Sequence, residues 1–247
     1  MKVLCTYLAM LAGSVAVLPA SAAAPACQGT LYLTFDTGNM RHAELIADTL
    51  ARHGAKATFF LAQEKTLRGD DALASSWASF WQARVTEGHA FGSHTGRHGS
   101  FRSDLADGRV RYRLMNGATE TLDARAVCEE LKAPDQRFRE LTGRSLDPLW
   151  RAPGGRTTPN TLAAAQTCGY RHVGWAPAGF LGDELPSETY PNSVLLQRAL
   201  GKLKDGDIVM AHLGIWSRKD PFAPMLDPLL AGLKAKGFCF ATLGAPS

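Results

Sequence analysis

Carboxylate, imidazole and guanidinium side chains recur in this chain at one kind of place, where an apolar run gives way to a polar turn. Leu31 to Phe35 alternates apolar and β-branched residues and stops at Asp36-Thr37-Gly38, so Asp36 stands at the exit of a predicted buried strand. A carboxylate there can take a proton from water, or it can simply cap the helix that follows. His94 and His98 follow the stretch His89 to Ser93 at a spacing of four, which on a helical turn puts both rings on one face and lets them chelate one ion. Arg151, followed by Pro153, Gly154 and Gly155, sets a fixed positive charge on a rigid turn where the backbone can approach a partner. It reads either as a structural ion pair or as the group that holds Asp36 ionised. Asp207 to Ala211 leads into His212, which is either a satisfied core histidine or a general acid needing a modest pKa adjustment. His42, His53, His89 and His172 lack such neighbours and read as surface or helix-end residues.

These groups meet only if the elements carrying them converge. The chain repeats one order: short apolar strand, polar loop, amphipathic helix, glycine, next strand. Predicted strands are Leu31 to Phe35, Ala57 to Leu61, His89 to Ser93, Pro148 to Arg151, Arg171 to Trp175, Asp207 to His212 and Phe238 to Leu243. Glycines such as Gly54, Gly143 and Gly237 close the helices or their trailing turns, and Thr158-Pro159 opens one with a capping hydroxyl and a first-turn proline. Strands alternating with helices predict an α/β fold with parallel strands and outer helices, closed or nearly closed like a TIM barrel. The C-terminal strand ends of such a barrel share one face, which would gather Asp36, His94, His98, Arg151, Trp175 and His212. Ser100 to Gly117, with Arg102, Arg109, Arg111 and Arg113, breaks the order. It is predicted as an inserted surface loop, or as one side of a substrate groove.

The first residues read as a cleaved leader. Lys2 precedes an apolar run from Val3 to Leu18, and Ala20-Ser21-Ala22 fits the small-residue cleavage rule. We therefore expect a signal peptide at 1–22, a single domain at 23–247, a secreted or periplasmic product and no stable membrane insertion after cleavage. The whole chain carries 27 Lys+Arg against 23 Asp+Glu, a scattered and mild excess that argues against a nucleic-acid partner. No protein partner is implied. Export leaves Cys27, Cys128, Cys168 and Cys239, an even number for an oxidising compartment with three possible pairings. If the first and last strands are neighbours, Cys27 with Cys239 and Cys128 with Cys168 is the natural choice.

The motifs resemble the polysaccharide deacetylases of carbohydrate esterase family 4, whose shared unit is the NodB homology domain. Thr34-Phe35-Asp36, His94-Thr95-x-x-His98, Arg151-x-Pro153-x-Gly155 and the His212 strand occur in family order, and Lys56-Ala57-Thr58-Phe59-Phe60 resembles its second strand. The resemblance implies a distorted (β/α)7 barrel and metal-assisted deacetylation of N-acetylated sugars in a glycan such as peptidoglycan or a chitin-like polymer. It casts Asp36 as base, His212 as acid, Arg151 as the residue orienting Asp36, and His94 and His98 as ligands of a divalent metal ion. Zinc is the expected ion, although cobalt or nickel would also accept imidazole. Trp175 resembles an aromatic wall against the acetyl group, with Pro153 and Gly155 beside the substrate.

Two positions depart from the family pattern. Thr37 stands where a second aspartate usually completes the metal ligands, so the ion would rely on two histidines with water or with a replacement carboxylate. Trp175 is not followed by the usual aspartate-tryptophan pair, and Asp183 is the nearest carboxylate in sequence that could tune His212. Two other functions stay open: an O-deacetylase of acetyl xylan esterase type, and an inactive carbohydrate-binding homologue.

Overall fold

A computed structural model of the chain describes residues 27–244; the expected leader at 1–22 lies outside them. The elements run β1 (Gly29–Asp36), α1 (Ala43–Arg52), β2 (Thr58–Leu61), α2 (Ala78–Thr86), β3 (Ala90–Ser93), β4 (Ser100–Asp104), β5 (Val110–Arg113) and β6 (Thr119–Leu122). They continue through α3 (Ala124–Thr142), β7 (Leu149–Trp150), α4 (Pro159–Thr167), β8 (Arg171–His172), α5 (Asn192–Lys202), β9 (Ile208–His212), α6 (Leu226–Ala235) and β10 (Phe238–Ala241).

Seven of these strands form one parallel sheet centred on β1. β1 pairs with β10 along its first half, with β2 from Thr34 to Asp36, and with β9 from Tyr32 to Asp36. The ladder then passes from β2 to β3, β7 and β8. Between β8 and β9 there is no ladder. The segment after β8 bridges the gap instead, with Ala176 donating to the Ile208 carbonyl at 3.1 Å and Met210 to the Gly179 carbonyl at 2.9 Å. The result is the distorted (β/α)7 barrel, a curled parallel sheet with helices outside.

The period of two along each strand decides what faces inward. Leu31, Leu33, Phe35, Phe59, Leu61, Phe91, Val209 and Ala211 belong to the large core, together with Ile46 and Leu50 of α1, Trp81 of α2 and Leu229, Leu230 and Leu233 of α6. The alternate residues Tyr32, Phe60, Leu149, Val173 and Ile208 form a small cluster of their own inside the curl. Thr34, Asp36 and His212 share that inner parity, so the strand pattern itself delivers polar groups to the barrel interior.

β7 and β8 are shorter than predicted. The carbonyls of Val173 and Gly174 accept from the Arg151 side chain at 3.2 and 3.1 Å, so a guanidinium takes acceptors that a longer ladder would use. Trp175 consequently lies in irregular chain beyond β8.

The predicted inserted loop is an antiparallel sheet, with β5 between β4 and β6. Along Val110-Arg111-Tyr112-Arg113 burial alternates, the two arginines outward and Val110 and Tyr112 inward. Phe101, Val110, Tyr112 and Leu122 pack on Val127 and Leu131 of α3 and on Trp150. The arginines read as solvated loop because their apolar partners alternate with them. Asp107-Gly108 and Asn116-Gly117 were the usable signals, since both dipeptides favour tight hairpin turns.

Two disulfides cross-link the fold. Cys27 joins Cys239, with Cα atoms 5.6 Å apart, tying the start of β1 to β10. Cys128 of α3 joins Cys168 just after α4, with Cα atoms 6.0 Å apart.

Candidate active site

Asp36 ends β1 and is buried. It does not cap α1, whose preceding residue is His42. Its Oδ1 accepts from Arg151 Nη1 at 2.9 Å, and its Oδ2 lies 3.5 Å from His94 Nε2. Burial alone would raise its pKa, but Arg151, and after it His94 and His212, hold the carboxyl below the ordinary carboxylate value.

Arg151 follows β7 directly and is 0% exposed. Besides Asp36 it donates to Thr34 Oγ1 at 2.8 Å and to two carbonyls. Its guanidinium carbon stands 4.2 Å from the Phe60 ring centroid and 5.5 Å from that of Trp175. A planar cation with four of its five N–H donors engaged and aromatic rings against it is fixed in orientation, and it fixes Asp36 in turn.

His94 and His98 come together, although not on a helical turn as predicted. The stretch after β3 is a loop in which Thr95 (φ 68°) and His98 (φ 51°) adopt left-handed backbone. The two ring centroids nevertheless stand 4.8 Å apart. His94 Nδ1 donates to the Arg151 carbonyl at 2.9 Å, which leaves Nε2 as the lone-pair nitrogen facing the site. Burial pushes the His94 imidazole down to about 4, against the opposing pull of Asp36, so the ring is neutral at pH 7.

The antiparallel sheet and α3 hold this loop. Tyr112 Oη accepts from Gly99 N at 2.8 Å and donates to Glu130 Oε2 at 3.2 Å. Glu130 Oε2 also accepts from Arg97 N at 3.0 Å, and the Glu130 carbonyl accepts from Gly96 N at 2.7 Å. The strained loop is thus over-determined by buried partners.

His212 ends β9 and sits in direct register with Asp36 on β1. Asp183 accepts from the His212 backbone N at 2.7 Å, and its two carboxylate oxygens lie 3.2 Å from Nδ1. Burial would lower the imidazole pKa, but Asp183, aided by Asp36, raises it to about 10. The adjustment is therefore larger than expected from sequence, and His212 is protonated at neutral pH.

Glu64 is a residue sequence reasoning missed. It lies three residues past β2, the strand exit at which no chemistry was sought. Its Oε2 accepts from Thr37 Oγ1 at 2.6 Å and from Gly38 N at 2.8 Å, and its Oε1 lies 3.5 Å from His98 Nδ1. Gly38 is needed here, because at φ 56° a Cβ would fall 2.0 Å from the Gly214 carbonyl oxygen.

Pro153 and Gly154 share a cavity of about 380 Å³ with His98, Arg102, Arg113 and Met115. Gly155 (φ 66°) sits against Trp175, where a Cβ would meet the indole at 2.7 Å. Of the remaining histidines, His42 and His53 flank α1 as expected. His89 instead is buried, its Nδ1 accepting from Ala57 N at 3.0 Å, because the residue entering β2 needs a partner for that backbone donor. His172 is half-buried, edge-on to Trp150.

Among the described residues no three His, Cys, Asp or Glu side chains surround a common point closely enough to form a finished metal centre. The donor chemistry still suits a divalent ion: two imidazoles within one loop, one with its lone pair set by a backbone carbonyl, beside a nearly buried carboxylate.

The arrangement places an ionised carboxylate, a protonated imidazole and a metal-type donor set at one end of the sheet. A family model described as polysaccharide deacetylase matches residues 23–173. The chain is 26% identical over 220 residues to the peptidoglycan-N-acetylglucosamine deacetylase of Bacillus cereus, covering 89% of this chain and 68% of that protein. A family 4 acetyl xylan esterase from Clostridium thermocellum, solved with a cobalt ion, aligns at a TM-score of 0.66 and 20% identity over 87% of this chain and 88% of its own. BA3943 of Bacillus anthracis, described as a CE4 family pseudoenzyme, aligns at 0.64 and 19% over 87% and 64%. At such identities the superpositions speak for the fold alone.

Proposed function

Since this chain belongs to the polysaccharide deacetylase family, we propose that it is an exported, metal-dependent hydrolase that removes acetyl groups from N-acetylated sugars of a glycan. The observation that carries this reading is the intact pairing of Arg151 with Asp36 beside His94, opposite His212 with Asp183. A binder that had lost its chemistry would gain nothing from a base and an acid whose protonation is set in opposite directions. Export is supported by the leader-like first residues and by two disulfides, which suit an oxidising compartment.

In this reading His94 and His98 hold a divalent ion, with zinc as the expected metal, and when bound it polarises the acetyl carbonyl and acidifies a water. Asp36 accepts the proton of the attacking water on Oδ2, the oxygen that Arg151 leaves free. Arg151 keeps Asp36 ionised and aimed. His212 delivers its proton to the sugar nitrogen as the carbon–nitrogen bond breaks, so acetate and a free amine result. Trp175, held by its contact with Gly155, walls the acetyl group, and the groove between Arg113 and Pro153 receives the neighbouring sugars.

Acetate release from N-acetylglucosamine oligomers and peptidoglycan, set against acetylated xylan, with and without chelator, tests the reading. Chelator-sensitive release from the acetamides is expected. Release from xylan alone would make the protein an O-deacetylase, and glycan binding without any release would make it an inactive homologue.

A further inference from the structure

We propose that Glu64 is the carboxylate ligand of the metal site, completing a set with His94 and His98, and that Thr37 is not a ligand but the residue that aims Glu64. The proposal rests on the metal-dependent reading above.

The Glu64 side chain is only 12% exposed, and among the described residues no lysine or arginine pairs with it. Its one titratable contact is His98. A carboxylate withdrawn from water without a cation is costly, so this position calls for positive charge. Asp36 has no such need, because Arg151 already supplies its counter-charge.

The hydrogen bonds also sort the two carboxylate oxygens. Both donors, the Thr37 hydroxyl and the Gly38 amide, fall on Oε2. Oε1 is left turned toward His98 Nδ1 at 3.5 Å. Adjacent ligands on a tetrahedral zinc with bonds of 2.0–2.1 Å are about 3.3 Å apart, so this pair already has the separation of two ligands of one ion. Thr37 is fully buried, its Oγ1 accepting from Ala62 N at 3.3 Å while its proton goes to Glu64. That hydroxyl is committed to orienting a carboxylate, which is the role of a group behind a ligand. The charge absent at position 37 is thereby supplied from the loop after β2.

Metal binding, rather than turnover, is the test. Chelator-stripped wild type, Glu64→Gln, Thr37→Val, His94→Ala and the double variant Glu64→Gln/Thr37→Asp are titrated with zinc against a chromophoric competitor. Each is also loaded with cobalt for its visible spectrum, and folding is checked by circular dichroism. Wild type should take up one ion. Glu64→Gln should bind on the order of 100-fold more weakly with an altered cobalt spectrum, and Thr37→Val about 10-fold more weakly. The double variant should recover affinity through the aspartate at position 37. Unchanged affinity and spectrum in Glu64→Gln, with binding lost in His94→Ala, would overturn the assignment while leaving the metal reading intact. If Glu64→Gln fails to fold, Thr37→Val decides, and wild-type affinity there overturns the proposal. Absence of any ion in wild type would remove both readings.

Discussion

Arg151 and Asp36 form a charge pair sealed inside the barrel, Nη1 to Oδ1 at 2.9 Å, brought together from the ends of two strands, β7 and β1, that are not neighbours in the ladder. In the proposed mechanism the pair couples activity to stability, because each charge is tolerated only in the presence of the other. Asp36→Asn should therefore reduce kcat by about 1000-fold or more as the base is lost. It should also destabilise the fold by about 3–5 kcal/mol, since the guanidinium is left without its counter-charge. Steady-state kinetics and urea unfolding check the two effects separately. Near-normal turnover would remove Asp36 from the mechanism.

Asp183→Asn tests the acid. His212 is held at about 10 against opposing burial by the Asp183 charge, so the alkaline limb of kcat/KM should move several tenths to several units toward neutrality in the variant. Stability should follow the same group. A raised folded pKa gives a contribution fully present below about 6.5 and lost as pH rises through about 10. Between those values the variant should show a flatter dependence than wild type, read by denaturant midpoints at fixed ionic strength.

His89 predicts an effect at the other end of the scale. Burial depresses its pKa to about 4, and the neutral ring accepts from Ala57 N. A depressed imidazole contributes stability that is present above about 6.5 and lost as pH falls through about 4. The loss should be on the order of 3 kcal/mol for this group, and His89→Gln should flatten that acid limb in unfolding curves between pH 7 and 4.5. Equal acid slopes in the two proteins would show that His89 does not carry the effect.

Tyr112→Phe isolates the support of the two-histidine loop. The variant keeps the ring in its apolar cluster but removes the acceptor for Gly99 N and the donor to Glu130. A cost of about 1–3 kcal/mol is expected from the unpaired buried amide, together with weaker zinc binding by competition titration. A stability loss with unchanged zinc affinity would show that the loop holds its shape without the hydroxyl.

The strand ends were legible in the sequence because period-two alternation and the glycine-closed helices fix which residues share a face. Asp36, His94, Arg151 and His212 needed little more than that. Glu64 was hidden because it reaches the site from a loop, where no periodicity says which way a side chain turns. The β4 to β6 sheet was obscured by arginines on its outward positions, although Asp107-Gly108 and Asn116-Gly117 marked its turns. His89 was misread for a related reason. Its burial follows from a long-range partner, the Ala57 amide, that local sequence does not display.

The register of Asp36 opposite His212 has an evolutionary implication. Neighbouring strands keep a spacing of about 4.8 Å wherever their backbone ladder is intact, so the backbones carrying these two residues are spaced by the lattice of the sheet. Insertions, deletions or wholesale exchange of the surrounding loops can redesign which polymer is gripped without resetting that interval. Diversification of specificity and preservation of proton chemistry are thereby assigned to separate parts of the chain, and a lineage built on this scaffold can change one while inheriting the other.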